Sequence, residues 1–141
     1  MPTTRPMYLL ELQIAVQARL TGDTTLMGMI TGIFDIATER QATPYITYGQ
    51  HVDSAWPTFG KVNSDALFLL DIFSQQGSDD ECYQILAEVV RLLQTRPGNA
   101  PLTLPDYGQA TMMYEWSTIL HETEYNIRHM PVRFRSKAVE L

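Results

Sequence analysis

The chain has 141 residues, of which 45% are hydrophobic and 18% charged, the balance of a globular protein with a buried core and not of a disordered one. No apolar run approaches the roughly 18 residues of a membrane span, and a net charge of −6 supplies no general positive field for nucleic acid. The lone cysteine, Cys82, excludes an internal disulfide and a cysteine-based zinc site, and the N-terminus lacks an apolar core followed by a cleavage site, so no signal peptide is expected.

Residues 7–20 place Leu9, Leu12, Val16 and Leu20 at helical spacing, with Pro6 before the first turn and Gly22 after the last. Asp23 is suited to cap a short second helical turn, and "IFDI" at 33–36 reads as a brief strand. Tyr45–Tyr48 alternates β-branched and aromatic residues after Pro44, which favours a strand. A second strand, 66–73, puts Ala66, Phe68, Leu70 and Ile72 on one face and Leu67, Leu69, Asp71 and Phe73 on the other. Both faces are mostly apolar, as in a central or doubly covered strand.

Ser78 followed by Glu81 predicts a capping box, with Asp79 and Asp80 where the helix dipole favours negative charge. The helix it opens runs to about Gln94 and carries Cys82, Ile85, Leu86, Val89 and Leu93 on one stripe. Cys82 is therefore read as a small buried hydrophobe, since no base stands near it in sequence to activate a nucleophile. "RPGNAP" at 96–101 breaks the chain, and "LTLPDYG" reads as a short strand entering a turn. From 109 to 120, Met112, Tyr114, Trp116 and Thr118 alternate with Met113, Glu115, Ser117 and Ile119. "HETE" at 121–124 reads as a polar turn. The last strand, 125–139, sends Val132 and Phe134 one way and Arg133, Arg135 and Lys137 the other, and Pro131 implies a bulge or an edge position there. The sum is one α+β domain over residues 1–141: a mostly antiparallel sheet with two main helices packed on one face.

Chemistry is hard to find. The chain has no phosphate loop, nucleophile elbow or H-E-x-x-H motif, and His51, His121 and His129 show no metal-ligand spacing. His51 and Asp53 are the one pair that could serve a metal-dependent hydrolase, and they lack a third group. Tyr107 and Trp116 have no basic groove beside them for stacking bases. No cofactor, metal or catalytic residue is expected.

The stretch "HVDSAWPTFGKVN" at 51–63 reads as a 13-residue loop between two strands, well beyond the usual two to five or so residues of a hairpin loop. Two readings compete for it. His51, Asp53, Trp56, Phe59 and Lys61 are candidates for gripping a partner, or the loop folds back so that Trp56 and Phe59 pack on the domain's own core. Asp79, Asp80 and Glu81 form the densest acidic run, and Arg128, Arg133, Arg135 and Lys137 the densest basic one. Both fit a solvated surface, and both fit complementary edges of identical subunits joined head to tail.

In their order, "ARLTGDTTLMGMI", "IFDIATERQATPYITYGQ", "FLLDIFSQQGSDDECYQILAEVVRLL" and "VRFRSKAVE" resemble the tail-completion, or tail terminator, proteins of long non-contractile-tailed phages and gene transfer agents. The likeness runs over about residues 8–139 and rests on the ordered set, because the family has no catalytic signature; the 96–109 region and "HETEYNIRHMP" stand outside it. The resemblance implies a structural virion protein. It would form a hexameric ring that caps the tail tube, ends tube growth and offers a surface for joining the head. It also implies as partners further copies of the chain, the major tail tube protein and a head–tail connector protein. Its place would be the head-proximal end of the tail, reached from the host cytoplasm during assembly. DNA would slide through an acidic ring without specific binding. A head-side connector component, an adaptor or a stopper, is the nearest alternative.

Overall fold

A computed structural model describes residues 7–36, 41–58, 61–75, 78–122 and 126–139, with the backbone alone for 55–58, 61 and 62. Helix α1 spans Tyr8–Thr21, α2 Thr24–Met27 and α3 Asp80–Leu93; the strands are β1 Ile33–Phe34, β2 Tyr45–Tyr48, β3 Val52–Thr58, β4 Lys61–Ser74, β5 Leu102–Leu104, β6 Gly108–Ser117, β7 Leu120–Glu122 and β8 Ile127–Val139. The sheet runs β1-β2-β4-β8-β6-β5. β3 lies beside one half of β4, next to β2, and β7 lies beside one end of β8, next to β6. Only β1 and β2 are parallel; every other pairing is antiparallel.

The expected α+β architecture stands, with the helices on one face of the sheet. The apolar spacing of α1 buries Tyr8, Leu12, Val16 and Leu20, and that of α3 buries Cys82, Ile85, Val89 and Leu93. Both stripes meet Ala66, Phe68, Leu70 and Ile72 of β4 and Met130, Val132 and Phe134 of β8 in one apolar cluster. Each fully buried large side chain there contributes about 1.5–3 kcal/mol. Asp23 caps α2 as expected, its Oδ2 accepting the Leu26 N–H at 2.9 Å. Burial raises the Cys82 thiol to about 11, as an inert buried hydrophobe requires.

Four local expectations are corrected. The stretch 51–63 is not a loop: Val52–Thr58 and Lys61–Val62 are the arms of a β3–β4 hairpin, paired residue by residue from Val52↔Leu67 to Thr58↔Lys61. Pro57 is tolerated because β3 is an edge strand. Leu69 turns both its N–H and its C=O toward the β2–β3 side, so with a period of two Leu67, Asp65 and Asn63 do the same. Asp53, Ala55 and Pro57, between their bonded partners, face away from β4, where a missing N–H costs no ladder bond.

The capping box does not form. α3 begins at Asp80 with Asp79 as an N-cap whose side chain makes no capping bond to the helix, and Glu81 instead accepts a hydrogen bond from the Ser74 hydroxyl at the end of β4. His121 and Glu122 belong to β7 and not to a turn; residues 123–125 lie outside the described residues.

Finally, β8 is neither an edge strand nor bulged at Pro131. It is the central strand, paired with β4 from Asn63↔Val139 to Ser74↔Arg128. The irregularity lies on its neighbour: a bulge between Tyr114 and Trp116, then the break between β6 and β7. The Pro131 carbonyl accepts the Thr118 N–H at 3.4 Å, so its absent N–H points into that same break, where no ladder partner waits.

Candidate assembly surfaces

β2 and β3 share one side of β4 with a gap between them, and His51 fills it. Gly49 donates its N–H to the Leu69 carbonyl at 2.8 Å, and the Leu69 N–H donates to His51 Nδ1 at 3.0 Å. A Cβ at Gly49 would stand 3.0 Å from the Leu69 Cβ and 2.9 Å from an Asp71 carboxylate oxygen, so the close approach needs glycine. The His51 ring stacks on Phe68 with centroids 4.1 Å apart and 8° between planes. Burial lowers its pKa, with the Asp71 charge opposing.

With Nδ1 already engaged, His51 completes a β-ladder and is not poised as a base. Among the described residues no three metal-ligating side chains cluster, so His51 and Asp53 find no third ligand. Asp53 is exposed on β3. The side chains of Trp56 and Lys61, and the whole of Phe59, lie outside the described residues.

A prediction follows from the stitch. Removing the acceptor in His51→Ala leaves the Leu69 N–H without its partner and should cost about 1–3 kcal/mol in urea denaturation. The folded-state pKa is lowered, so the unfolded chain binds the extra proton first. Wild-type stability should therefore fall as pH drops below the ordinary 6.5 toward the lowered value, and His51→Ala should lack that portion of the slope.

The acidic and basic segments meet within one chain. Asp79 Oδ1 accepts from Arg128 Nε at 2.6 Å and His121 Nε2 at 2.9 Å, and these bonds, His121's first, hold the Asp79 carboxyl below the usual carboxylate range. Arg135 bridges Asp65 at 2.9 Å and Glu115 at 2.8 Å, while Arg133 shares Glu115 at 3.2 Å. Asp80 and Lys137 are exposed, and Glu81 is held by Ser74. Of the charges read as subunit edges, Asp79, Arg128, Arg133 and Arg135 thus have partners inside the chain. Pairs this open to solvent are screened and add little to stability.

Among the described residues, two groups of exposed apolar side chains stand out. On α1, Met7, Leu10 and Ile14 are 56–61% exposed, and Ile36 beyond β1 is 87% exposed. Between α1 and the β1–β2 margin lies an open groove of about 480 Å³ with Ile14, Ala18, Ile33 and Tyr48 on its walls and Gln13, Gln17 and Asp35 at its polar positions. Gln13 donates to Asp35 at 3.0 Å, and the Tyr48 hydroxyl donates to Gln17. The second patch is at the β6–β7 margin: Met113, Trp116 and Leu120 are nearly half exposed, with the Arg133 guanidinium 5.7 Å from the Trp116 ring centroid. Tyr107, by contrast, is buried edge-on against Tyr8 at 4.8 Å.

The α1 patch was legible in principle. Leu10 and Ile14 repeat at four residues on a face other than the buried one, which makes α1 apolar on two sides. Trp116 was hidden by the bulge, because simple alternation places it with Met112 on the core face.

These features define an α+β sheet protein that exposes apolar side chains on its surface. The sequence profile of the family described as "Tail completion protein gp17" matches residues 14–137, and the chain belongs to that family. It is accordingly a structural protein of the bacteriophage-type virion tail. No curated protein matches it by sequence. Among solved structures, its fold is similar to that of a chain in the "Virion of native gene transfer agent (GTA) particle", with a TM-score of 0.82 and 17% identity over 94% of this chain and 97% of that one. No helix among the described residues is long and apolar enough to cross a membrane.

Proposed function

We propose that the chain is a tail terminator: a hexameric ring that caps the tail tube, stops its growth and presents the surface joined by the head. The observation that carries this reading is the family match over residues 14–137. The two exposed apolar patches support it physically, since a monomer gains nothing from leaving Leu10, Ile14 and Ile36 more than half, and Trp116 nearly half, in water. The engagement of His51 Nδ1 by the Leu69 N–H supports an assembly role over the hydrolase alternative. The ring meets further copies of itself, the tube protein and a connector protein.

Electron microscopy of the purified protein mixed with its tail tubes tests this. A six-fold ring should stand at one tube end, and tubes carrying it should stop elongating. A different copy number sinks the hexamer, and continued elongation sinks the terminator.

A further inference from the structure

We propose that the ring closes head to tail by docking the Trp116–Arg133 corner of one copy into the α1–β1 groove of the next; this rests on the ring reading above. The groove and the corner lie at opposite margins of the sheet, with β4 and β8 between them, so one copy can engage a different neighbour through each. They differ in shape: one is a concave apolar floor, the other an aromatic side chain carrying a cation on its ring. Two unlike surfaces on one chain generate a ring when the rotation between copies closes.

Charge fits the same assignment. Asp35 is exposed, and among the described residues its bonded partner is the neutral Gln13 amide. At the corner, Arg133 and Arg135 share the carboxylates Glu115 and Asp65 while Lys137 is exposed beside them, so among these described residues one positive charge is in excess. A carboxylate at the groove mouth thus meets a cation riding on the inserted ring. A tryptophan buries about 150–250 Å². Leu10, Ile14 and Ile36 around the groove, with Met113 and Leu120 beside the corner, add to this toward the roughly 800 Å² per partner of a specific interface.

The test uses three full-length proteins: the wild type, Asp35→Arg and Trp116→Ala. Both altered side chains are exposed, and melting curves of all three should coincide. In sedimentation across micromolar to millimolar concentrations, the wild type should form rings while each variant alone stays monomeric. An equimolar mixture of the variants should give dimers and nothing larger, because it retains one intact corner and one intact groove.

Rings formed by either variant, or a mixture that stays monomeric, overturn the proposal. So does a closed wild-type dimer with two-fold symmetry. If both variants form rings yet fail to bind tail tubes, the groove belongs to the tube protein, and this inference falls while the ring stands. If the wild type assembles neither alone nor on tubes, the ring reading itself fails.

Discussion

Phe134→Ala should lower the unfolding free energy by about 3–5 kcal/mol, a large part of the roughly 5–15 kcal/mol that holds a domain together. Phe134 is fully buried on β8, directly opposite Phe68 of β4, and Tyr114 of β6 meets its ring edge-on at 5.9 Å. It therefore fastens both halves of the sheet to the helices at once. Truncation removes the transfer energy of the ring and leaves a cavity that three strands cannot collapse around. Guanidinium or urea titration should show a lower midpoint with an unchanged slope. A loss under about 1 kcal/mol would mean the site relaxes freely and is not the junction described.

The second large effect sits at the start of α1. The Tyr8 hydroxyl and the Ser136 hydroxyl bond to each other at 2.5 Å, both buried, joining the helix to the central strand. Ser136→Ala or Tyr8→Phe alone strands one buried hydroxyl and should cost about 1–3 kcal/mol. Tyr8→Phe with Ser136→Ala should cost less than the sum, because no orphan remains. Additive losses in that cycle would show the two hydroxyls to be independent.

Burial also raises Tyr8 to about 12, with the Ser136 bond pulling the other way, and burial raises Tyr48 too. Between the ordinary 10 and that raised value the unfolded chain has lost a proton the folded chain keeps. Stability should therefore decline as pH rises through that window, and Tyr8→Phe should flatten the decline.

Local signals were readable wherever one short segment decides its own state. Cys82, Ile85, Val89 and Leu93 repeat at helical spacing, and α3 follows; Pro44 starts β2 where expected. What escaped was set by distant partners. "VDSAWPT" contains a proline and little alternation, and it becomes a strand because β4 offers it a ladder and its other side is free. The arginines of β8 look like an open edge when their carboxylates cannot be seen. Those carboxylates come from Asp65 on β4, Glu115 on β6 and Asp79 before α3, separated from the arginines they hold by 18 to 70 residues of chain. Glu81 was lost to Ser74 in the same way. At the exposed apolar patches, periodicity alone could show α1 with a second apolar face, but only the pairing register puts Trp116 outside the core.

The position of β8 imposes an order of events during synthesis. β4 and β6 are both made before it, yet neither touches the other across the sheet; each waits for β8 to come between them. At about 5–20 residues per second, the ribosome leaves β4 with one naked side for several seconds, shielded only by β2 and β3 on the other. Such distant pairing is slow to form, so the sheet closes at the finish of translation of this region and not along the way. A nascent chain halted before Ile127 holds two unjoined half-sheets, with the Trp116 corner lacking the arginine that rides on it. In the docking proposed above, such a fragment would carry an unfinished contact corner, because the strand that completes the fold also supplies Arg133.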